Sequence, residues 1–100
     1  MYRATTPTHK FEIPFDVATI SQILITYAQQ QKVILEKKTE DCTIDGNCIS
    51  VKLTQAEANL FDRSKNIEIQ MRVLTAGGDA LASQIATEPC YRVLNDEVLE

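Results

Sequence analysis

The sequence predicts an all-β fold of two packed sheets, and three observations carry the prediction. Apolar residues recur at every second position in several short runs, and turn-forming residues separate those runs at regular intervals. The clearest helix-start signal is brief and lies between two strands. At 100 residues, 44% hydrophobic and 24% charged, the chain suits one globular domain with one core.

The first run, Lys10 to Ile13, alternates and is interrupted by Pro14, which predicts a short strand at a sheet edge. Ile23, Ile25 and Tyr27 then share one strand face, with Leu24 and Ala28 on the other. The polar turn Gln29-Gln30-Gln31 leads into a return strand from Lys32 to Lys38. This hairpin is apolar on both faces around Leu24 and Ile34, which predicts either a central position or a contact surface. Asp45-Gly46 sits between β-prone residues and predicts a two-residue hairpin turn.

After that turn, Ile49, Val51 and Leu53 alternate with Ser50 and Lys52 up to Thr54. Thr54 and Glu57 have the spacing of a capping box, so a short helix starts after Thr54. Ile67, Ile69, Met71 and Val73 alternate with Glu68, Gln70 and Arg72, a strand with one core face and one wet face. Ala76-Gly77-Gly78-Asp79 turns the chain into a strand over Ala80 to Ile85. Pro89 separates that strand from a last one near Tyr91 to Leu94.

About seven strands, with one short helix between strands five and six, describe an immunoglobulin-like β-sandwich; a small barrel is the alternative. The chain has no tryptophan, so the core tryptophan of antibody domains is missing. The domain is expected over residues 1–94, followed by an acidic tail over 95–100, either a frayed helix or an unpaired end.

Composition excludes several functions. The net charge is −4 and the basic residues are scattered, apart from Lys37-Lys38 beside Glu36 and Glu40-Asp41, which argues against nucleic acid as a partner. No apolar run approaches the length of a membrane span. The polar start, Met1 to Pro7, lacks a signal-peptide core, so the expected place of synthesis is the cytoplasm of whichever cell makes it.

No catalytic, cofactor or metal site is expected. The three cysteines, Cys42, Cys48 and Cys90, lack the spacing of a zinc site, and they are expected as free thiols. His9 has no nucleophile motif to serve and is expected as a solvated or packing side chain. Asp41, Asp45 and Asn47 suit a hairpin turn better than a calcium loop, because no glutamate closes the loop. Gly77-Gly78 would need a following helix to cradle phosphate, and a strand is expected there. The residues picked out as a possible interface are Leu24, Ile34, Gln70 and Arg72.

Five segments carry a resemblance to a known group. They are Phe11-Glu12-Ile13-Pro14-Phe15-Asp16, Ile25-Thr26-Tyr27-Ala28-Gln29 with Val33-Ile34-Leu35-Glu36-Lys37, Leu53-Thr54-Gln55-Ala56-Glu57 with Phe61, Ile69-Gln70-Met71-Arg72-Val73 before Gly77-Gly78, and Val93 to Leu99. In these the chain resembles small virion- or tail-associated proteins of phages and prophages of Gram-positive, often gut, bacteria. That group often has an acidic residue and a threonine where this chain has Ala56 and Ala58. The resemblance implies a structural protein of a tail, baseplate or fibre, with no catalytic residues. Its partners would be other virion proteins or copies of itself, and its final location the virion. A carbohydrate-binding module is the competing expectation and would need an exposed aromatic platform. A small enzyme would need a cleft with perturbed titrating groups.

Overall fold

The computed structural model describes residues 1–14 and 19–100; Phe15 and Asp16 of the first phage-like segment lie outside the described residues. Period-two alternation produces strands β1 (Thr8–Glu12), β2 (Ile20–Gln29) and β3 (Lys32–Lys38). A 3-10 turn over Thr39–Asp41 precedes β4 (Cys42–Asp45) and β5 (Cys48–Lys52). The helix α1 (Gln55–Ala58) follows, and then β6 (Ile67–Thr75), β7 (Ala80–Ala82) and β8 (Ala86–Glu88).

Among the described residues these strands form two antiparallel sheets. One has the order β1-β5-β4; the other has the order β3-β2-β6-β7, with β8 also on β6. In the lettering of the immunoglobulin fold, the first is B-E-D and the second is C′-C-F-G, with α1 in the E–F crossover. The chain is therefore an all-β, immunoglobulin-like sandwich. As expected for a strand ended by proline, β1 lies at a sheet edge.

The core forms where the two alternating faces meet. In the pairing of β2 with β6, Ile23 lies opposite Val73, Ile25 opposite Met71 and Tyr27 opposite Ile69, so the inward residues form a double row. Ile49, Val51 and Leu53 cover that row from the smaller sheet, joined by Ile13, Phe61, Ile67 and Cys90. Tyr27 and Phe61 meet edge to face at 5.9 Å. Leu53 ends the apolar row because Thr54 takes the N-cap: its hydroxyl accepts from the Glu57 amide at 3.1 Å, and the Glu57 carboxylate accepts from the Thr54 amide at 2.9 Å.

Several expectations are corrected. Gln29 is not part of a solvated turn. It is 4% exposed, and its side chain donates to the carbonyls of Asp62 and Lys65 while accepting from the Asp62 amide. Those bonds fold the loop after α1 onto the end of β2. The β2–β3 loop is Gln30-Gln31 alone, both in the left-handed region with φ of 50° and 66°. The β4–β5 loop is Gly46-Asn47, one residue later than expected, and only Gly46 has positive φ (61°). Lys37 faces inward to Glu57 rather than outward to its acidic sequence neighbours.

The expected strand over Ala80 to Ile85 is instead two short strands, because Ser83 interrupts the ladder. The Ser83 hydroxyl accepts from the Met71 amide at 3.0 Å and donates to the Gln84 carbonyl, and the Ser83 carbonyl accepts from the Gln70 side chain. Nor does a strand form over Tyr91 to Leu94. Beyond Pro89 only a single parallel bridge joins Tyr91 to Tyr2. The acidic tail is coil folded back on α1. The Gln55 amide group bonds both the carbonyl and the amide of Leu99, and Arg3 reaches Asp96 at 3.0 Å.

Candidate functional site

The outward residues of β2 and β6 are set by the same register that buries their neighbours. Leu24 lies opposite Arg72 and Thr26 opposite Gln70, while Arg72 in turn faces Ala82 on β7. Three of the four residues read from the sequence as an interface, Leu24, Gln70 and Arg72, therefore share the outer face of the larger sheet. Gln70 is committed to the Ser83 carbonyl at 3.0 Å. Arg72 is exposed. A shallow, open groove of about 470 Å³ on this face is lined by Leu24, Leu74 and Ala80 together with Arg72, Lys38 and Glu40.

Ile34 does not join them. The β2–β3 register shifts between Tyr27 and Ala28, so Leu35 pairs with Tyr27 and Val33 with Ala28, and Ile34 is the extra residue of a bulge. It is half-buried and packs against the core, so a charge placed there strikes folding as well as any contact. The three-residue turn read from the sequence would set Ile34 opposite Thr26 on the outer face; the two-residue loop Gln30-Gln31 starts the pairing at Gln29 and Lys32 and brings Ile34 level with Tyr27 on the core side.

A second polar arrangement links the two sheets. His9 on β1 has its Nδ1 2.8 Å from the Tyr27 hydroxyl on β2 and its Nε2 3.4 Å from the Glu88 carboxylate on β8. Burial first, then the nearby charges of Glu88, Cys42 and Glu57, push the Tyr27 phenol far above its ordinary range. In the tautomer whose Nε2–H donates to Glu88, Nδ1 is left to accept from the Tyr27 hydroxyl. Carboxylate, imidazole and hydroxyl line up in the order of an acid–base relay. Tyr27, however, is wholly buried, so no substrate can meet its oxygen, and the chain ties β1 to β2 and β8. His9 is thus a packing histidine. The sequence reading missed this link; the signal that could have found it is Tyr27 itself, since an inward tyrosine needs a partner for its hydroxyl. Nothing marked Glu88.

The cysteines fall at separate places. Cys42 lies opposite Val51 and Cys48 opposite Asp45, and Cys90 is buried in the core; all three are free thiols. Burial raises the Cys42 thiol, with Asp41 and Glu40 adding to the effect and Lys37 opposing it. Burial also raises the Cys90 thiol. These are packed, weakly nucleophilic groups. Among the described residues no three His, Cys, Asp or Glu side chains are gathered as a metal set, and no helix is long and apolar enough to cross a membrane. Tyr2 and Tyr91 are both about half exposed, with ring centroids 4.9 Å apart and tilted by 39°.

No protein-family model matches the sequence, and no curated protein matches it. Among solved structures the chain is similar to the V domain of amphioxus IgVJ-C2, at 9% identity and a TM-score of 0.38, over 90% of this chain and 96% of that one. The class of fold rests on the strand order described above.

Proposed function

We propose that the protein acts by assembly, as a structural component of a phage particle, and that the outer face of its larger sheet is the contact surface. The observation that carries this reading is the pairing of Leu24 with Arg72 beside the open groove. A half-buried leucine flanked by an exposed arginine, on a rigid two-strand platform, has the make-up of an interface centre: an aliphatic anchor beside a guanidinium. The phage context rests on the sequence resemblance. In it the protein is made in the bacterial cytoplasm, travels in the virion and turns over no substrate.

The test is capture of particle proteins from a phage lysate by the parent and by Leu24→Arg and Arg72→Glu, both at outward positions. Loss of the same virion partner in both variants, with unchanged melting, supports the reading. A parent that captures no virion protein and hydrolyses a defined small molecule ends it.

A second reading, a glycan-binding module, is favoured by the exposed Tyr2–Tyr91 pair, since exposed phenol rings offer sugars an apolar face. Titration of tyrosine fluorescence with oligosaccharides tests it, and a response that survives Tyr2→Ala sinks it.

A further inference from the structure

The segment 95–100 is held against the domain by a set of side chains that grip it as a site grips a peptide. On α1, the Gln55 side chain donates to the Leu99 carbonyl at 2.9 Å and accepts from the Leu99 amide at 2.7 Å, the pair of bonds that a neighbouring strand would make. Asn59 donates to the Asp96 carbonyl at 2.9 Å. Arg3 reaches the Asp96 carboxylate at 3.0 Å and is itself steadied by the Asn59 carbonyl. Between these anchors Val98 lines a shallow, mostly apolar hollow of about 350 Å³ with Leu53 and Ala56.

The stretch that leads into this strap is built differently. The Tyr91 carbonyl accepts from the Arg3 amide, but Arg92, Val93 and Leu94 make no hydrogen bond or ion pair among the described residues. Leu94 is 96% exposed, and Leu99, although its backbone is anchored, is 75% exposed. Large apolar side chains lie bare around the root of the strap. Tyr91 and Leu94 lead into it, and Tyr2 and Leu60, both exposed, stand next in sequence to its anchors Arg3 and Asn59. A well-bonded strap on an unbonded three-residue hinge, with apolar residues in water at its root, has the make-up of an element that changes places between copies.

We propose that segment 95–100 is exchanged between two copies of this chain, each strap docking on Arg3, Gln55 and Asn59 of the other copy. The fit of the occupant is already on view, because the same segment fills the site within one copy. Exchange keeps every bond of the strap, so its cost is that of association and of straightening the hinge. Three extended residues reach about 10 Å, enough to cross to a copy in contact. In a two-fold pair the two hinges cross near the axis, so the Leu94 side chains meet there and leave water. The inference rests on the reading of this protein as one that acts by assembly, and deepens it by naming a second copy as one partner. The strap site shares no residue with the groove beside Leu24 and Arg72, which stays free for another protein.

The experiment is sedimentation equilibrium over a wide concentration range, at low salt, on the parent, Arg3→Glu, Asp96→Arg, their equimolar mixture and Leu94→Asp. The parent forms a reversible dimer. In either charge variant alone, every strap meets a like charge, whether it docks on its own copy or on another. In the mixture a mixed dimer gives both straps an opposite charge, so the mixture associates at least about tenfold more tightly than either variant alone. Docking within one copy gains nothing from mixing, which makes this outcome specific to exchange. Leu94→Asp weakens the parent dimer by about tenfold or more and leaves the melting temperature unchanged, because in a single copy Leu94 lies in water. A parent that is monomeric throughout overturns the inference, and so does a mixture that associates no more than its components. If Leu24→Arg disrupts the parent dimer and Leu94→Asp does not, the assembly reading stands and the exchange is rejected.

Discussion

Lys37 Nζ lies 2.6 Å from Glu57 Oε2 and donates to Glu57 Oε1 at 2.8 Å, which joins an edge strand to the helix that caps the core. The same carboxylate accepts from the Thr54 amide, so one side chain completes the capping box and neutralises an inward lysine that is 11% exposed. An uncompensated charge at that position would oppose folding. The pair makes the β3 edge both stable and closed to further strands.

The first prediction follows from the Glu57 carboxyl. Burial raises its pKa, but hydrogen bonds from Lys37 and Thr54 and the charge of Lys37 outweigh burial and hold it below the ordinary range. A depressed folded-state pKa contributes stability that is present above the unfolded value, about 4.3 for glutamate, and lost as pH falls through the folded one. Urea midpoints should therefore drop on acidification below about pH 5, and Glu57→Gln should flatten that part of the profile. An acid limb of unchanged steepness in the variant would exclude Glu57 as its source.

Met71 and Arg72 are sequence neighbours on opposite faces of β6. Met71→Asp buries an unpaired carboxylate beside Ile25 and should lower stability by about 3 kcal/mol or more, a large part of the total for a domain of this size. Arg72→Asp sits in water and should melt within a few degrees of the parent. Circular dichroism melts of the pair read the strand register directly.

Gln29→Leu keeps the volume and removes three hydrogen bonds to Asp62 and Lys65. The loss should be about 2 kcal/mol, since two carbonyls and an amide lose their partner at a buried position. Hydrogen exchange at the Asp62 amide should accelerate in the variant. If its protection is unchanged, the loop after α1 is held by something else.

At the β2–β3 loop, replacing Gln30-Gln31 with Asn-Gly should stabilise the domain. Both glutamines occupy left-handed backbone, which disfavours ordinary side chains by about 1 kcal/mol each and suits asparagine and glycine. A melting temperature raised by about 4–8 °C is expected. The Gln31 amide bond to Glu68 survives because it uses only backbone at position 31. A lower melting temperature would mean that the glutamine side chains contribute more than their strain costs.

The residues 67–73, 23–27 and 49–53 declare their strands and their inward faces in the sequence, and Thr54 with Glu57 declares the start of α1. Each of these signals is local: side-chain direction alternates within a strand, and a capping box closes within four residues. The sandwich class was legible for the same reason, as was the placement of Leu24, Gln70 and Arg72 opposite the inward residues of their own strands. What the tertiary structure alone decided depends on segments far apart in the chain. Lys37 turns inward because Glu57 waits across the sandwich, and Gln29 is buried because the loop at 62–65 offers it partners. His9 packs because Tyr27 and Glu88 converge on it, Ile34 turns to the core because the β2–β3 loop has two residues and not three, and Ser83 breaks a strand by bonding to Met71. A single polar residue fits water or a buried site equally well by its own chemistry. Only the register between distant strands brings the partner that makes burial favourable.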